Sequence, residues 1–218
     1  MLKIAIIRNN LSYQQFQNEL GPFKVFSTKD ILKVFPHFDS KRLVEWQEKG
    51  YIKKIINKWY IFSKVPQSEE LFYRISNCIY HPSYISLESA LSYYGLIPEA
   101  VYIHQAISTK RTIAYTTTLG TFNYRTVRPE LYFGYKIFRF DEQPILVAEP
   151  EKALLDYLYL NAKLNSPEDL EALRLNISEL HTTVIWEKLL TYAEVYKSNV
   201  LNKRIKLIKK IMRNANIA

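Results

Sequence analysis

Glycine is scarce in this chain of 218 residues, and its scarcity excludes several classes of enzyme. There are five glycines, and the two closest, Gly120 and Gly134, are 14 positions apart. Dinucleotide- and phosphate-binding loops need two or three glycines within about six to eight residues, because only glycine lets the backbone approach a phosphate. The G-x-S-x-G turn of serine hydrolases is absent as well. The sequence therefore lacks the loops on which most nucleotide-dependent enzymes are built.

Cysteine and long apolar runs are also nearly absent. Cys78 is the only cysteine, which excludes a disulfide framework and a thiolate-rich metal site, so we predict no metal and no cofactor. The apolar run after Lys3 has four residues, whereas a signal peptide needs about seven or more. No stretch approaches the roughly 18 apolar residues of a membrane span. We therefore expect a cytoplasmic protein with no membrane partner.

Positive charge dominates the chain but is unevenly distributed. The net charge is +9, and it divides into +7 over residues 1–64, −4 over 65–200 and +6 over 201–218. A surplus of this size favours a polyanionic partner, although it does not indicate a fold. The two basic ends therefore need separate explanations.

Residues 1–65 follow the order of a winged helix-turn-helix domain. Helical patterns cover residues 10–20, the segment that begins at Thr28, and the segment SKRLVEWQEK, which Gly50 ends. The runs YIKKII and WYIFSK, separated by Asn57 and Lys58, then predict a β-hairpin. In such a domain the third helix enters the major groove of DNA, and the hairpin contacts the backbone or the minor groove.

The outward side chains of the third helix and of the hairpin are the predicted DNA contacts. We expect Leu43 and Val44 to face the core. Serine and basic side chains can bind base edges or phosphates, and lysines on the hairpin can neutralise phosphates. The predicted DNA-binding residues are Ser40, Lys41, Arg42 and Glu45 on the helix and Lys53, Lys54 and Lys58 on the hairpin.

Residues 66–218 predict a second domain of mixed α/β structure, so the fold class is α+β. Runs rich in Val, Ile, Thr and Tyr between Val101 and Val147 predict a small antiparallel sheet, flanked by helices. The segment HPSYIS at 81–86 indicates a break between two helices. Further helices are predicted from Pro150 onward and at 167–175, 182–196 and 199–214.

The predicted C-terminal helix has a narrow apolar seam and many cations. The seam consists of Leu201, Ile205, Ile208 and Met212, and the rest of the surface is covered by Lys203, Arg204, Lys206, Lys209, Lys210 and Arg213. Such a helix can pack on the protein body, assist DNA binding, meet an acidic partner or lie on a membrane surface. The pattern favours a docked helix with a solvated basic face.

The middle of the chain resembles a known family in four consecutive blocks. These are YISLESALSYYGLIPEAVY at 84–102, ISTKR at 107–111, LGTFNYRTVRPELYFGY at 119–135 and VAEPEKALLDYLYL at 147–160. In this order they resemble the AbiEi family of antitoxins and transcriptional regulators of type IV toxin–antitoxin (abortive-infection) systems.

The resemblance implies both a domain arrangement and a function. It implies an N-terminal winged helix and a C-terminal antitoxin domain, with binding to inverted repeats in the protein's own promoter. It also implies repression of that promoter and action against a nucleotidyltransferase-like toxin, without a stable complex and without catalysis by this chain. Lys110, Arg111 and Arg125 match the family, and as exposed basic residues of the sheet they are candidates for antitoxicity or further DNA contact.

Two other functions stay open. One is an orphan winged-helix regulator that has no toxin. The other is a metal-dependent DNA-processing enzyme that uses Asp39, Glu149 or Glu151 with Mg²⁺. The D/E-x-K pattern of nucleases occurs once, at Asp39-Ser40-Lys41, but it opens a predicted helix rather than following a strand.

Overall fold

The computed structural model describes residues 11–99 and 101–215. The described chain forms two compact units. Unit 1 contains residues 11–68 and 141–143, and unit 2 contains residues 69–99, 101–140 and 144–215. The division after Ser68 falls three residues beyond the sequence-based boundary at residue 65. The fold is mixed α+β, as predicted.

Unit 1 contains three helices and a three-stranded antiparallel sheet. Its elements are α1 (Tyr13–Leu20), β1 (Val25–Ser27), α2 (Thr28–Val34), α3 (Lys41–Glu48), β2 (Ile52–Ile56) and β3 (Trp59–Phe62). The strands are ordered β1-β3-β2, with both pairs antiparallel. The hairpin β2–β3 was predicted, whereas β1 was not, because three residues are too few to show an alternating pattern.

Local sequence signals explain where the helices of unit 1 begin and end. Helix α2 begins at Thr28, as predicted, and the preceding Ser27 caps it: the Ser27 hydroxyl accepts from the Asp30 amide while the Asp30 carboxylate accepts from the Ser27 amide. Gly50 follows α3 with a φ of +69°, in the left-handed conformation predicted for it. The helix therefore stops where the sequence places a residue without a Cβ.

The core of unit 1 is almost entirely aromatic and aliphatic. Its buried residues are Phe16, Leu20, Phe26, Ile31, Leu43, Trp46, Ile52, Tyr60 and Phe62. The prediction that Val44 faces this core is wrong, because Val44 is 57% exposed while Trp46 is buried. On α3 the inward face continues from Leu43 at a spacing of three residues, so the adjacent position points outward.

Unit 2 contains seven helices and six strands in its described residues. They are α4 (Glu69–Ile79), β4 (Tyr84–Ile85), α5 (Leu87–Tyr93), β5 (Ile103–Ser108), β6 (Ile113–Thr117), β7 (Gly120–Thr126), β8 (Tyr135–Phe140), β9 (Gln143–Ala148), α6 (Pro150–Leu160), α7 (Pro167–Glu171), α8 (Ile177–Thr183), α9 (Trp186–Tyr196) and α10 (Asn199–Ala215). No described helix combines the length and the apolar character needed to cross a membrane.

The sheet of unit 2 is mixed, which corrects the prediction of a small antiparallel sheet. Its order is β6-β7-β5-β4-β9-β8, and the pairs β5–β7 and β4–β9 are parallel. The hairpin β6–β7 places β7, and not β6, beside β5. Composition identifies strands but not their neighbours, so the parallel pairs were not visible in the sequence.

The segment 81–86 was interpreted as a break, yet it supplies β4 near the middle of this sheet. Tyr84 and Ile85 are fully buried and pair with β5 on one side, and Ile85 pairs with β9 on the other. A strand of two residues has no period to detect. This segment forms a strand because of its pairing with β5 and β9, which is a tertiary contact.

Helix α10 docks on unit 2 through the predicted seam. Leu201, Ile205, Ile208 and Met212 are all buried. Arg204 was expected among the solvated cations but is buried, and its guanidinium donates to the carbonyls of Leu158, Ala162 and Leu164 and to the Asn165 side chain. The last carbonyls of a helix have no partner within it, and Arg204 supplies one for the end of α6.

Candidate functional site

The predicted contact residues of α3 lie on its outer surface. Ser40, Lys41 and Glu45 are exposed, and Arg42 is half-buried. A shallow depression along the helix is lined by Asp39, Lys41, Arg42, Val44, Glu45 and Glu48. The structure therefore brings three of the four predicted helix residues together, with the exposed Val44 between them.

This surface of α3 is mixed in charge. The Arg42 guanidinium donates to the Leu11 carbonyl oxygen, which holds its side chain against the segment that precedes α1. Lys49 Nζ lies 2.6 Å from Glu45 Oε1, and this hydrogen bond lowers the pKa of the Glu45 carboxyl. Because Asp39 and Glu48 line the same depression, α3 offers both donors and acceptors and no uniform attraction for an anion.

The hairpin differs, because its cations are exposed and unneutralised. Lys53, Lys54 and Lys58 are exposed, and none of them forms an ion pair with a described carboxylate. The register between β2 and β3 shifts between Lys54 and Ile56. A β-bulge of this kind breaks the strict alternation of a strand, so two consecutive lysines face outward between the buried Ile52 and Ile55.

Lys58 adopts a strained backbone conformation at the tip of the hairpin. Its φ is +68°, in the left-handed region that glycine and asparagine populate more readily than lysine. The turn therefore contains a cation where the backbone alone favours glycine. Backbone strain that the surrounding structure maintains often accompanies a functional position.

Lys110, Arg111 and Arg125 in unit 2 contact different elements. The Lys110 ammonium donates to the His81 carbonyl and lies 5.6 Å from the centre of the Tyr80 ring. The Tyr80 hydroxyl donates to the Arg111 carbonyl at 2.7 Å. Arg125 Nη2 donates to the Leu160 carbonyl at 3.1 Å, at the end of α6. Lys110 and Arg125 thus have structural contacts that the sequence did not reveal.

Arg125 also lines a cleft beside α6. The cleft has a volume of about 450 Å³, and its walls include Glu88, Gln105, Arg125, Tyr157, Asn161 and Lys163. Burial raises the pKa of the Glu88 carboxyl, although a hydrogen bond with Gln105 and the charge of Arg125 oppose the shift. Glu88 lies in the first block of the resemblance, at 84–102, and its place beside Arg125 became visible only in the structure.

A buried ion pair lies where two blocks of the resemblance meet. Lys152 and Asp156 lie on adjacent turns of α6. Both are fully buried, and their side chains form a salt bridge. The hydroxyls of Tyr84, Ser86 and Tyr196 donate to the Asp156 carboxylate at 2.9, 2.8 and 2.6 Å. Buried charges are tolerated only when they are paired and hydrogen-bonded. The salt bridge and the three hydroxyl donors meet this condition for the Asp156 carboxylate.

Aromatic rings surround the other half of the pair. The Lys152 ammonium donates to the Tyr196 hydroxyl at 2.7 Å and lies 5.1–5.4 Å from the ring centres of Tyr84, Phe133 and Tyr196. Burial lowers the pKa of Lys152, and Asp156 opposes that shift. A Cβ on Gly134 would come within 2.9 Å of the Tyr192 ring and 3.2 Å of the Lys152 side chain. The absence of a Cβ at this position therefore leaves room for both side chains.

The acidic residues at the start of α6 are also engaged. Lys188 Nζ lies 2.9 Å from Glu149 Oε1 and 3.4 Å from Glu151 Oε2. Burial opposes ionisation of Glu149, but hydrogen bonds from Lys188 and Tyr192 leave its pKa below the usual value. Glu151 accepts from the Ile185 amide at 2.9 Å. Asp39, the third residue of the metal-dependent hypothesis, accepts from the Lys41 amide in unit 1.

The spacing of Lys152 and Asp156 was the sequence signal for the buried pair. Opposite charges four residues apart lie on one face of a helix, and in EPEKALLDYLYL they lie among apolar residues. Compared with models of protein families and with curated proteins, the sequence gives no match.

Proposed function

We propose that the chain is a DNA-binding transcriptional repressor and the antitoxin of a type IV toxin–antitoxin system. Unit 1 serves as a winged helix that binds inverted repeats in double-stranded DNA at the protein's own promoter. Unit 2 provides the activity against a nucleotidyltransferase-like toxin, without a stable complex between the two proteins. The chain itself carries out no catalysis.

The observation that carries the DNA-binding part is the hairpin of unit 1. It follows directly after α3 and presents Lys53, Lys54 and Lys58 to solvent, with no carboxylate among the described residues paired to them. Each lysine that reaches a phosphate releases a counterion and so favours binding. The mixed surface of α3, with Lys41, Arg42 and Glu45, suits contacts with base edges, which present both donors and acceptors.

The antitoxin part is supported by the resemblance of residues 84–160 to AbiEi proteins. In the structure these blocks supply the buried pair Lys152–Asp156 and the cleft with Glu88 and Arg125. The pair is closed to solvent and suits a structural role, whereas the cleft is open. The half-buried Glu88 and the exposed Arg125, which line this open cleft, are therefore the better candidates for antitoxicity.

The DNA-binding proposal predicts a loss of promoter affinity when the hairpin is neutralised. Lys53→Gln/Lys58→Gln removes two phosphate contacts, so we expect the slope of log affinity against log salt concentration to become shallower by about 2. The measurement is fluorescence anisotropy of the full chain with a duplex from its own promoter, over a series of salt concentrations.

Lys33→Gln/Lys64→Gln is the matched control, because it removes two exposed lysines of unit 1 outside the hairpin. It should leave the slope nearly unchanged, and circular dichroism verifies that both variants are folded. If the wild-type chain binds the promoter no better than a scrambled duplex, it is not a repressor of that promoter. Equal salt slopes for the hairpin variant and the control would mean that Lys53 and Lys58 do not contact phosphates.

A further inference from the structure

Helix α10 has two faces of opposite character. Successive residues of an α-helix are rotated by about 100°. Lys203, Lys206, Lys210 and Arg213 therefore fall within an arc of about 80°, which we call the α10 cation row. All four are exposed, and the buried seam of Leu201, Ile205, Ile208 and Met212 lies on the opposite side.

The row is held in a fixed position on unit 2. Its helix is anchored by the apolar seam and by Arg204, whose guanidinium donates to the Leu158 carbonyl at the end of α6 and to the Leu164 carbonyl beyond it. Lys209 does not belong to the row: it is half-buried and lies 5.1 Å from the centre of the Trp186 ring. The exposed cations thus project from a docked helix.

The charges of the row are not neutralised within the described part of the protein. None of the four cations forms an ion pair or a side-chain hydrogen bond with a described residue. Like charges three or four residues apart destabilise a helix, so this arrangement opposes helix formation. Outside α10 the charges of unit 2 nearly balance with a slight acidic excess, because residues 65–200 carry a net charge of −4 and Asp141 and Glu142 of unit 1 supply −2 of it. The row is therefore not part of a generally basic unit.

The shape of the row fits a phosphodiester backbone. From Lys203 to Arg213 the helix rises by about 15 Å, and over the same distance measured along the duplex axis one strand of DNA presents about four phosphates. A membrane-bound amphipathic helix inserts its apolar face into the lipid, and that face of α10 is already buried. A protein partner needs apolar or aromatic contacts at the centre of its interface, and the row contains none.

We propose that the α10 cation row binds the phosphate backbone of duplex DNA as a contact that does not depend on sequence. The inference deepens the proposed function by adding a second DNA-binding surface, on unit 2. It does not require recognition of the promoter, and it can therefore be tested separately.

The test uses the full chain with Lys203→Gln, Lys206→Gln, Lys210→Gln and Arg213→Gln combined. Glutamine has a helix propensity close to that of lysine and arginine, so α10 should remain folded. With a duplex of random sequence, we expect the log–log salt slope to become shallower by about 3 to 4, since each phosphate contact contributes about 0.9. The ratio of promoter affinity to random-duplex affinity should stay the same.

A double variant and its control make the result specific. Lys206→Gln/Lys210→Gln should reduce the slope by about 2, whereas Lys136→Gln/Arg174→Gln, which removes two exposed cations elsewhere on unit 2, should not change it. An unchanged slope in the folded quadruple variant overturns the proposal. So does a reduction seen only with single-stranded RNA or with phosphatidylserine vesicles. If the wild type shows no preference for the promoter over the random duplex, the promoter-binding function is refuted, whereas the proposal for the α10 cation row is not affected.

Discussion

Unit 1 and unit 2 differ in where they place their polar groups. Within the described part of unit 1, Ser27 is the one buried polar side chain, and the core is built from rings such as Phe16, Trp46 and Phe62. Unit 2 buries two cations, Lys152 and Arg204, together with carboxylates, serines and His104. The basic unit thus keeps its charges at the surface, and the larger unit uses charges to join its elements.

This contrast separates the charged residues that hold the fold together from those that can contact a partner. A buried charge needs its partner, because an unpaired one is costly in a low-dielectric interior. Lys152 and Asp156 therefore hold α6 to Tyr84, Ser86 and Tyr196. Among the described residues of unit 1, the exposed lysines of the hairpin pair with no carboxylate, so they suit the proposed contact with a polyanion.

The largest expected effect comes from breaking the buried pair. Asp156→Asn leaves the Lys152 ammonium without a counter-charge in a closed site, so we expect a loss of about 3–5 kcal/mol in the free energy of unfolding. Urea denaturation followed by circular dichroism measures the loss. Amide hydrogen exchange of α6 assigns it to unit 2.

Two variants sharpen this test. Glu194→Gln, which changes an exposed carboxylate of α9, should alter stability by less than about 0.5 kcal/mol. Lys152→Met/Asp156→Asn removes both charges and should recover part of the loss. A single Asp156→Asn variant as stable as the wild type would mean that the buried pair does not hold unit 2 together.

The next effect is a loss of stability of unit 2 at low pH. His104 is stacked on Phe72 and Phe122, and burial lowers its pKa to about 4. Between the unfolded pKa near 6.5 and this value, the unfolded chain binds a proton that the folded chain does not. Stability is therefore retained above pH 6.5 and decreases as the pH falls to about 4, by roughly 3 kcal/mol.

His104→Phe tests this contribution, because phenylalanine preserves an aromatic ring and cannot be protonated. The variant should lose less stability than the wild type between pH 7 and pH 4, as judged by urea denaturation at each pH. Amide exchange should locate the difference in β5. If the free energy of unfolding falls by the same amount in both proteins between pH 7 and pH 4, His104 is not a source of the acid sensitivity.

The smallest effect separates stability from function in unit 1. Lys58→Gly relieves the left-handed backbone at the hairpin tip, so we expect a gain of about 1 kcal/mol in the free energy of unfolding. The same change removes a phosphate contact and should weaken binding to the promoter duplex. Thermal denaturation and anisotropy measure the two effects.

A more stable variant with unchanged DNA affinity would contradict the role of Lys58 as a contact. Lys64→Gly is not a suitable comparison, because its backbone lies outside the hairpin turn. Lys58→Asn serves better, since asparagine tolerates the same conformation and lacks the charge. It should show the same loss of affinity with a similar gain in stability.

Much of unit 1 was predictable from local signals. Caps, periodic apolar residues and Gly50 located α2, α3 and the hairpin, because each signal acts within a few residues. The errors arose where long-range contacts decide. Val44 faces solvent because Trp46 occupies the inward position, and Arg42 is held by the carbonyl of Leu11.

The candidate site in unit 2 was less predictable for the same reason. Arg125 was identified as a basic residue, but its neighbours Glu88 and Tyr157 come from α5 and α6. Their proximity depends on the order of strands in the sheet, which composition does not encode. The contacts of Lys110 with His81 and Tyr80 depend on the same packing.

The two basic ends, the scarcity of glycine and cysteine, and most of the helices and strands follow from the amino-acid sequence alone, because composition and short-range periodicity are properties of the chain. Tertiary structure decided which charges are available. It buried Arg204 and paired Lys152 with Asp156, yet left Lys53, Lys54 and Lys58 in solvent. The physical reason is that the energy of a charge depends on its distance from water and from other charges, and folding alone fixes both.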